Sequence, residues 1–129
     1  MSTLTLRIDP ARNDVQTVVI GGRLDTHTHV ELDQALAPLL EADTLRSLVL
    51  DLHDLRYISS AGVRSIFRAR KALSAHGGRV LVVNPQPQIQ KVFDLVKAVP
   101  LNEIFASTAE ADAYLDAMQR KVLEGDDGD

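Results

Sequence analysis

The stretch from Leu48 to Phe67 limits what this chain can fold into, because its hydrophobic period changes partway along. Leu48-Val49-Leu50 is an apolar run without alternation, which suits a strand covered on both faces in a mostly parallel sheet. Beyond Gly62 the period is helical: Val63, Ile66, Phe67 and Leu73 share one stripe, and Arg64, Arg68 and Lys71 lie opposite. Between the two periods stand Ser59, Ser60, Ala61 and Gly62. The pattern predicts a strand, a tight turn and a helix, with hydroxyls where free N–H groups and the helix dipole favour an anion.

The neighbouring segments fit around this unit. Leu4, Leu6 and Ile8 alternate with polar residues, and Pro10 to Asp14 separates them from Val15–Ile20, so a hairpin is expected with Gly21-Gly22 as its stop. Thr28-His-Val-Glu31 reads as a capping box opening a helix along Leu32, Leu36, Leu39 and Leu40. Pro38 should kink that helix or end it early. Ser47 to Leu52 is the expected central strand. The helix after Ser60 should stop at His76-Gly77-Gly78, and Val80–Val83 reads as a further buried strand. Asn84 to Gln88 is a turn. Ile89, Val92, Phe93 and Val96 mark a third helix ended by Pro100, with a short edge strand over 101–105. Ser107-Thr-Ala-Glu110 is a second capping box, opening a helix whose stripe is Ala111, Tyr114, Leu115, Met118 and Val122. Strands first, then alternating helix and strand, give an α/β fold with helices packed on a mixed sheet.

Composition narrows the function. The 129 residues suit one domain, and the absence of cysteine leaves neither a disulfide framework nor a thiolate site. Four of the 18 acids, Glu124, Asp126, Asp127 and Asp129, fall in the last six residues. Without them the acids balance the 14 Lys and Arg. A neutral body with few aromatics is a poor nucleic-acid binder. No apolar run is long enough to span a membrane, and no basic-then-apolar leader opens the chain, so a cytoplasmic location is expected. The organisation read is one domain over 1–123 and an acidic, disordered tail over 124–129.

Several sites can be weighed on residues alone. A serine at a strand-to-helix turn is most often an N-cap. A hydrolase elbow would need glycine two places before the nucleophile, and Ile58 stands there. Asp51, His53 and Ser60 invite a triad reading, but Asp51 and His53 are only two apart on a strand-like stretch. His27, His29 and Glu31 resemble a metal set, yet a helix start explains them, so no metal is expected. There is no phosphate-binding G-x-x-x-x-G-K-[ST] loop.

The run Asp51-Leu-x-x-Leu-x-Tyr-Ile-Ser-Ser-Ala-Gly-Val-Arg64, with Gly22-Arg-Leu-Asp-Thr26 upstream, resembles the signature of STAS domains, a family that includes the bacterial anti-sigma factor antagonists. The resemblance implies a single STAS-like domain, a mixed β-sheet with helices packed on it, without enzymatic activity or cofactor. It implies a partner-switching role, in which an anti-sigma factor with serine kinase activity binds the unphosphorylated chain and a phosphatase is a further partner. The family's best-known pattern, Asp-Ser-Ser/Thr-Gly, puts the phosphoacceptor at Ser60, with Ser59 as second choice. This chain has Ser59 in place of the Asp and Ala61 at the second hydroxyl position. Partner contacts are expected from Asp25, Thr26, Ser59, Ala61, Gly62, Arg64, Arg68 and Lys71. The alternative is an unphosphorylated STAS subunit docked on a transporter ATPase complex.

Overall fold

The computed structural model describes residues 2–42, 44–98 and 105–125. All but the last residue of the expected edge strand, the stop at Pro100 and all but the first two residues of the acidic tail lie outside these. The elements are β1 (Leu4–Ile8), β2 (Val15–Leu24), α1 (His29–Glu41), β3 (Ser47–Ile58), α2 (Ser60–Ser74), β4 (Arg79–Val83), α3 (Pro87–Ala98) and α4 (Thr108–Leu123). One sheet runs in the order β1-β2-β3-β4; β1 is antiparallel to β2, and the other pairs are parallel. The hairpin and the β3-α2-β4 crossover are those the sequence predicts.

Helices cover one face of this sheet. Leu48, Leu50, Leu52, Leu55 and Ile58 of β3 are fully buried in a core with Val18, Ile20, Leu24, Leu32, Leu36, Leu73, Ile89 and Leu115. Each such side chain contributes roughly 1.5–3 kcal/mol by leaving water. The other face is open: Val49 and Asp51 are partly exposed, His53 is exposed, and Leu81 of β4 is 38% exposed. This corrects the reading of β3 and β4 as strands covered on both sides. An uninterrupted apolar run marks a strand but cannot count the layers packed on it.

Other differences have local causes. β2 does not stop at Gly21-Gly22 but continues to Leu24, with register shifts on either side of the pair. Gly22 has φ +82, and a Cβ there would collide with the Thr3 carbonyl, so the glycine marks an irregularity in the strand. α1 runs three residues past Pro38, without the early end expected. Thr28 precedes α1 but makes no side-chain cap: its backbone is already helical, and its hydroxyl accepts from the Asp25 N–H at 2.9 Å and reaches Arg23 O at 2.8 Å. Phe67, assigned to the buried stripe of α2, is 37% exposed, whereas Ser65 is buried. In α4, Tyr114 faces outward and stacks with Phe105, while Gln119 is buried. The C-terminus of α2 follows expectation, with Gly77 at φ +80 and Gly78 N–H donating to Leu73 O.

Among the described residues, β4 pairs with β3 over Ser47–Asp51 and no other strand lies along the rest of that edge. Three glutamine amides serve it instead. Gln86 Nε2 donates to His53 O at 2.8 Å, and Gln88 Nε2 donates to Arg56 O at 2.9 Å. Gln119 closes a two-way pair with Ile58, accepting from its N–H at 3.0 Å and donating to its C=O at 2.8 Å. A buried backbone group needs a partner, and a side-chain amide offers the same donor and acceptor as a strand. The last of these pairs ties α4 to the residue that precedes the serine turn.

Candidate functional site

The site is the passage from β3 into α2, flanked by the end of β2 and by α4. Ser59 leaves β3 extended (φ −97, ψ 176) and caps α2, its hydroxyl accepting from Gly62 N–H at 3.4 Å. Its own N–H donates to Leu24 O at 2.9 Å. The upstream loop therefore lies directly against the serine turn, as the resemblance implies. Gly62 makes this approach possible: a Cβ there would come within 2.8 Å of Ile58 Cγ1 and Leu24 Cγ and 2.9 Å of Leu24 O.

Ser60 is the first residue of α2, only 1% exposed, and its Oγ is buried with no hydrogen-bond partner among the described residues. Its N–H donates at 2.9 Å to Asp112 Oδ1 of α4. A hollow of about 240 Å³ is lined by Ser60 itself, by Arg64 and by the segment leading into α4, including Phe105, Ser107 and Thr108. Ser107 caps α4 by accepting from Glu110 N–H at 3.1 Å. Ser59, Ala61 and Gly62, expected among the partner contacts, and the proposed acceptor Ser60 are all buried. Leu24 and Ile58 pack against Gly62, and α4 meets Ser60 by a docking that cannot be read from the motif.

The other expected contact residues divide into two groups. Thr26, Arg64, Arg68 and Lys71 are exposed, and Asp25 is partly so. Arg64 lines the hollow beside Ser60. Arg68 instead faces α1, donating to Asp33 Oδ2 at 2.9 Å and to Ser65 Oγ at 3.3 Å, and it borders an inter-helix groove with Lys71. Asp25 is an organising residue. Partial burial works against its ionised form, but the His27 amide, the Thr28 hydroxyl and amide, and Arg23 outweigh this and hold its pKa below the ordinary range. Arg23 also lies 4.1 Å over the Tyr57 ring. Burial is the main effect raising the pKa of that phenol, and nearby Asp116 and Asp112 add to it.

The acid–histidine sets resolve differently. His53 Nδ1 lies 2.9 Å from Asp51 Oδ1 and Nε2 lies 3.0 Å from Asp54 Oδ2, so the ring is engaged on the open side of the sheet and not with Ser60. His29 contacts Asp33, and Glu31 accepts from Ser2, so these residues are not gathered around a common point. Among the described residues, no group of three His, Asp or Glu side chains is placed to hold a metal ion, and no helix is long and apolar enough to cross a membrane. Asp112 and Gln119 belong to the site and were missed. The signal available was weak: two polar residues seven apart on a helix otherwise read by its apolar stripe.

Known proteins match this arrangement. The sequence model of the STAS domain matches residues 9–111. An anti-sigma F factor antagonist of Lysinibacillus sphaericus is 30% identical over 80 residues, covering 60% of this chain and 68% of that protein. An anti-sigma-B factor antagonist of Staphylococcus aureus is 26% identical over 93 residues, covering 71% and 85%. In fold, the structure of the Bacillus cell fate determinant SpoIIAA in its phosphorylated form is similar, with a TM-score of 0.62 at 20% identity over 74% of this chain and 86% of that one. A mixed sheet, a capped strand-to-helix turn at Ser59-Ser60-Ala61-Gly62 and a matched span of most of its length lead to one conclusion: the chain belongs to the STAS domain family.

Proposed function

We propose that this protein is an anti-sigma factor antagonist that works by partner switching. Unphosphorylated, it binds an anti-sigma factor that is also a serine kinase. The kinase transfers the γ-phosphoryl group of a bound nucleoside triphosphate to Ser60: the Oγ–P bond forms, the bond to the departing nucleoside diphosphate breaks, and the serine proton passes to the kinase. The phosphorylated chain then releases its partner, and a phosphatase resets it.

The observation that carries the reading is a division of labour between the serines. Capping is the ordinary reason for a serine here, and Ser59 performs it. The Ser60 hydroxyl has no hydrogen-bond partner among the described residues, which give it no structural duty. Names of the relatives support the same reading, since both the Lysinibacillus and the Staphylococcus proteins are anti-sigma factor antagonists. Thr26, Arg64, Arg68 and Lys71 supply the exposed groups for partner contact, beside Asp25.

The test is incubation with the cognate serine kinase and labelled ATP, followed by phosphopeptide mapping. Label should appear on Ser60, vanish in Ser60→Ala and persist in Ser59→Ala. Label on Ser59 alone would overturn the assignment. A chain that binds its partner equally well with and without phosphate would overturn the switch and favour a docking subunit.

A further inference from the structure

Ser60 cannot be reached from solvent in this conformation. It is 1% exposed, and the start of α4 stands against it, with Thr108 and Ala111 lining a hollow that Ser60 shares. That cover is fastened at Ser60 itself, where Asp112 Oδ1 accepts from the Ser60 N–H at 2.9 Å across 52 residues of sequence. The carboxylate stands at the first N–H of α2, where the helix dipole favours negative charge. A hydrogen bond to an ionised acceptor is also stronger than a neutral one. A phosphoryl group on Ser60 Oγ would need the same helix end and would bring about −1.5 to −2 charges to it. Carboxylate and phosphoryl group cannot both be favoured there. The same objection weakens the hollow as a site for a free oxyanion, because its anion position is already served by the protein.

We infer that Asp112 is a latch: it holds the first turns of α4 over Ser60, so that the serine hydroxyl meets a phosphoryl donor only when this part of α4 lifts, and a phosphoryl group once attached keeps it lifted. The second half rests on the phosphorylation of Ser60; the first half does not. Removal of cysteine background is unnecessary, since the chain has none. A single thiol introduced as Ser60→Cys reports access directly when labelled with a small maleimide, with Thr26→Cys as the exposed reference.

The thiol at position 60 should react at least about tenfold more slowly than that at position 26. Adding Asp112→Ala should speed it about tenfold or more, the size expected for losing a hydrogen bond to a charged acceptor. Asp112→Asn, which keeps an oxygen in place, should restore much of the protection. Amide hydrogen exchange on chains with native Ser60 guards against a folding defect in Ser60→Cys: Asp112→Ala should raise exchange at Ser60 and across residues 107–115, leaving β1 and β2 unchanged. Equal labelling at positions 60 and 26 would overturn the covering of Ser60. Unchanged labelling and exchange in Asp112→Ala would overturn the latch. Neither readout uses a kinase, so failure of the latch is distinguishable from failure of Ser60 to accept phosphate.

Discussion

Gln119→Leu tests whether α4 is tied to the end of β3, on which the geometry of the serine turn depends. The substitution keeps the volume roughly constant and removes both bonds to Ile58, at 3.0 and 2.8 Å. Ile58 is fully buried, so its N–H and C=O lose the amide that stands in for a neighbouring strand. Each orphaned group costs about 1–3 kcal/mol, or about 2–6 kcal/mol together. Greater burial of apolar surface by leucine offsets part of this, about 1–2 kcal/mol. Taking the middle of each range, the net loss should be about 2–3 kcal/mol, a large share of the roughly 5–15 kcal/mol typical of a domain. Urea unfolding followed by circular dichroism would show it as a midpoint lowered by one to a few molar, for a slope of about 1–3 kcal/mol per molar. Gln119→Glu separates donor from acceptor. At neutral pH its carboxylate cannot donate to Ile58 O, but burial raises its folded-state pKa, so stability should recover as the pH falls and the carboxyl protonates. If Gln119→Leu stays within about 0.5 kcal/mol of wild type, the end of β3 is satisfied in some other way and the argument fails.

Other expectations are local. Gly62→Ala places a methyl 2.8–2.9 Å from Ile58, Leu24 and the Leu24 carbonyl, and should destabilise by about 1–3 kcal/mol despite alanine's better helix propensity; a neutral or stabilised variant in the same unfolding assay would refute the close approach. Ser59→Ala should lose about 0.5–1 kcal/mol, the low end for an N-cap, because the Gly62 bond is long at 3.4 Å. For His53, the Asp51 hydrogen bond outweighs a smaller opposing effect of desolvation, and Asp54 adds to the rise above 6.5. Its contribution is full below the unfolded value and fades as the pH rises through the folded one. For Asp51, partial burial opposes ionisation, but bonds to His53 and Asn84 prevail and hold its pKa below 3.8, so its contribution is lost as the pH falls through that lowered value. The stability gap between wild type and His53→Gln, measured by urea unfolding, should therefore be widest between about pH 3.8 and 6.5 and should close on both sides. A gap independent of pH would refute the charged contact.

What the residues determined alone was the set of local elements and their joints. The change of period across Ser59–Gly62, the hairpin at Pro10–Asp14 and the glycine stop after α2 are consequences of backbone sterics and of side chains a few positions apart. They were legible without knowing what lay nearby. Family membership was legible for the same reason, because its signature is one such joint. Errors arose where a side chain's fate depends on a distant segment. Phe67 and Tyr114 fit an apolar stripe but lie where it leaves the core. Val49 belongs to an apolar run with helices on one side only. Ser60 is buried, and Asp112, 52 residues later, reaches its N–H. Gln119, outside the apolar stripe read for α4, bonds to Ile58 at the edge of β3, 61 residues earlier. Periodicity records which residues share a face of their own element. What comes to cover that face is decided by packing between elements far apart in the chain, as α4 meets the serine turn through Asp112 and the end of β3 through Gln119.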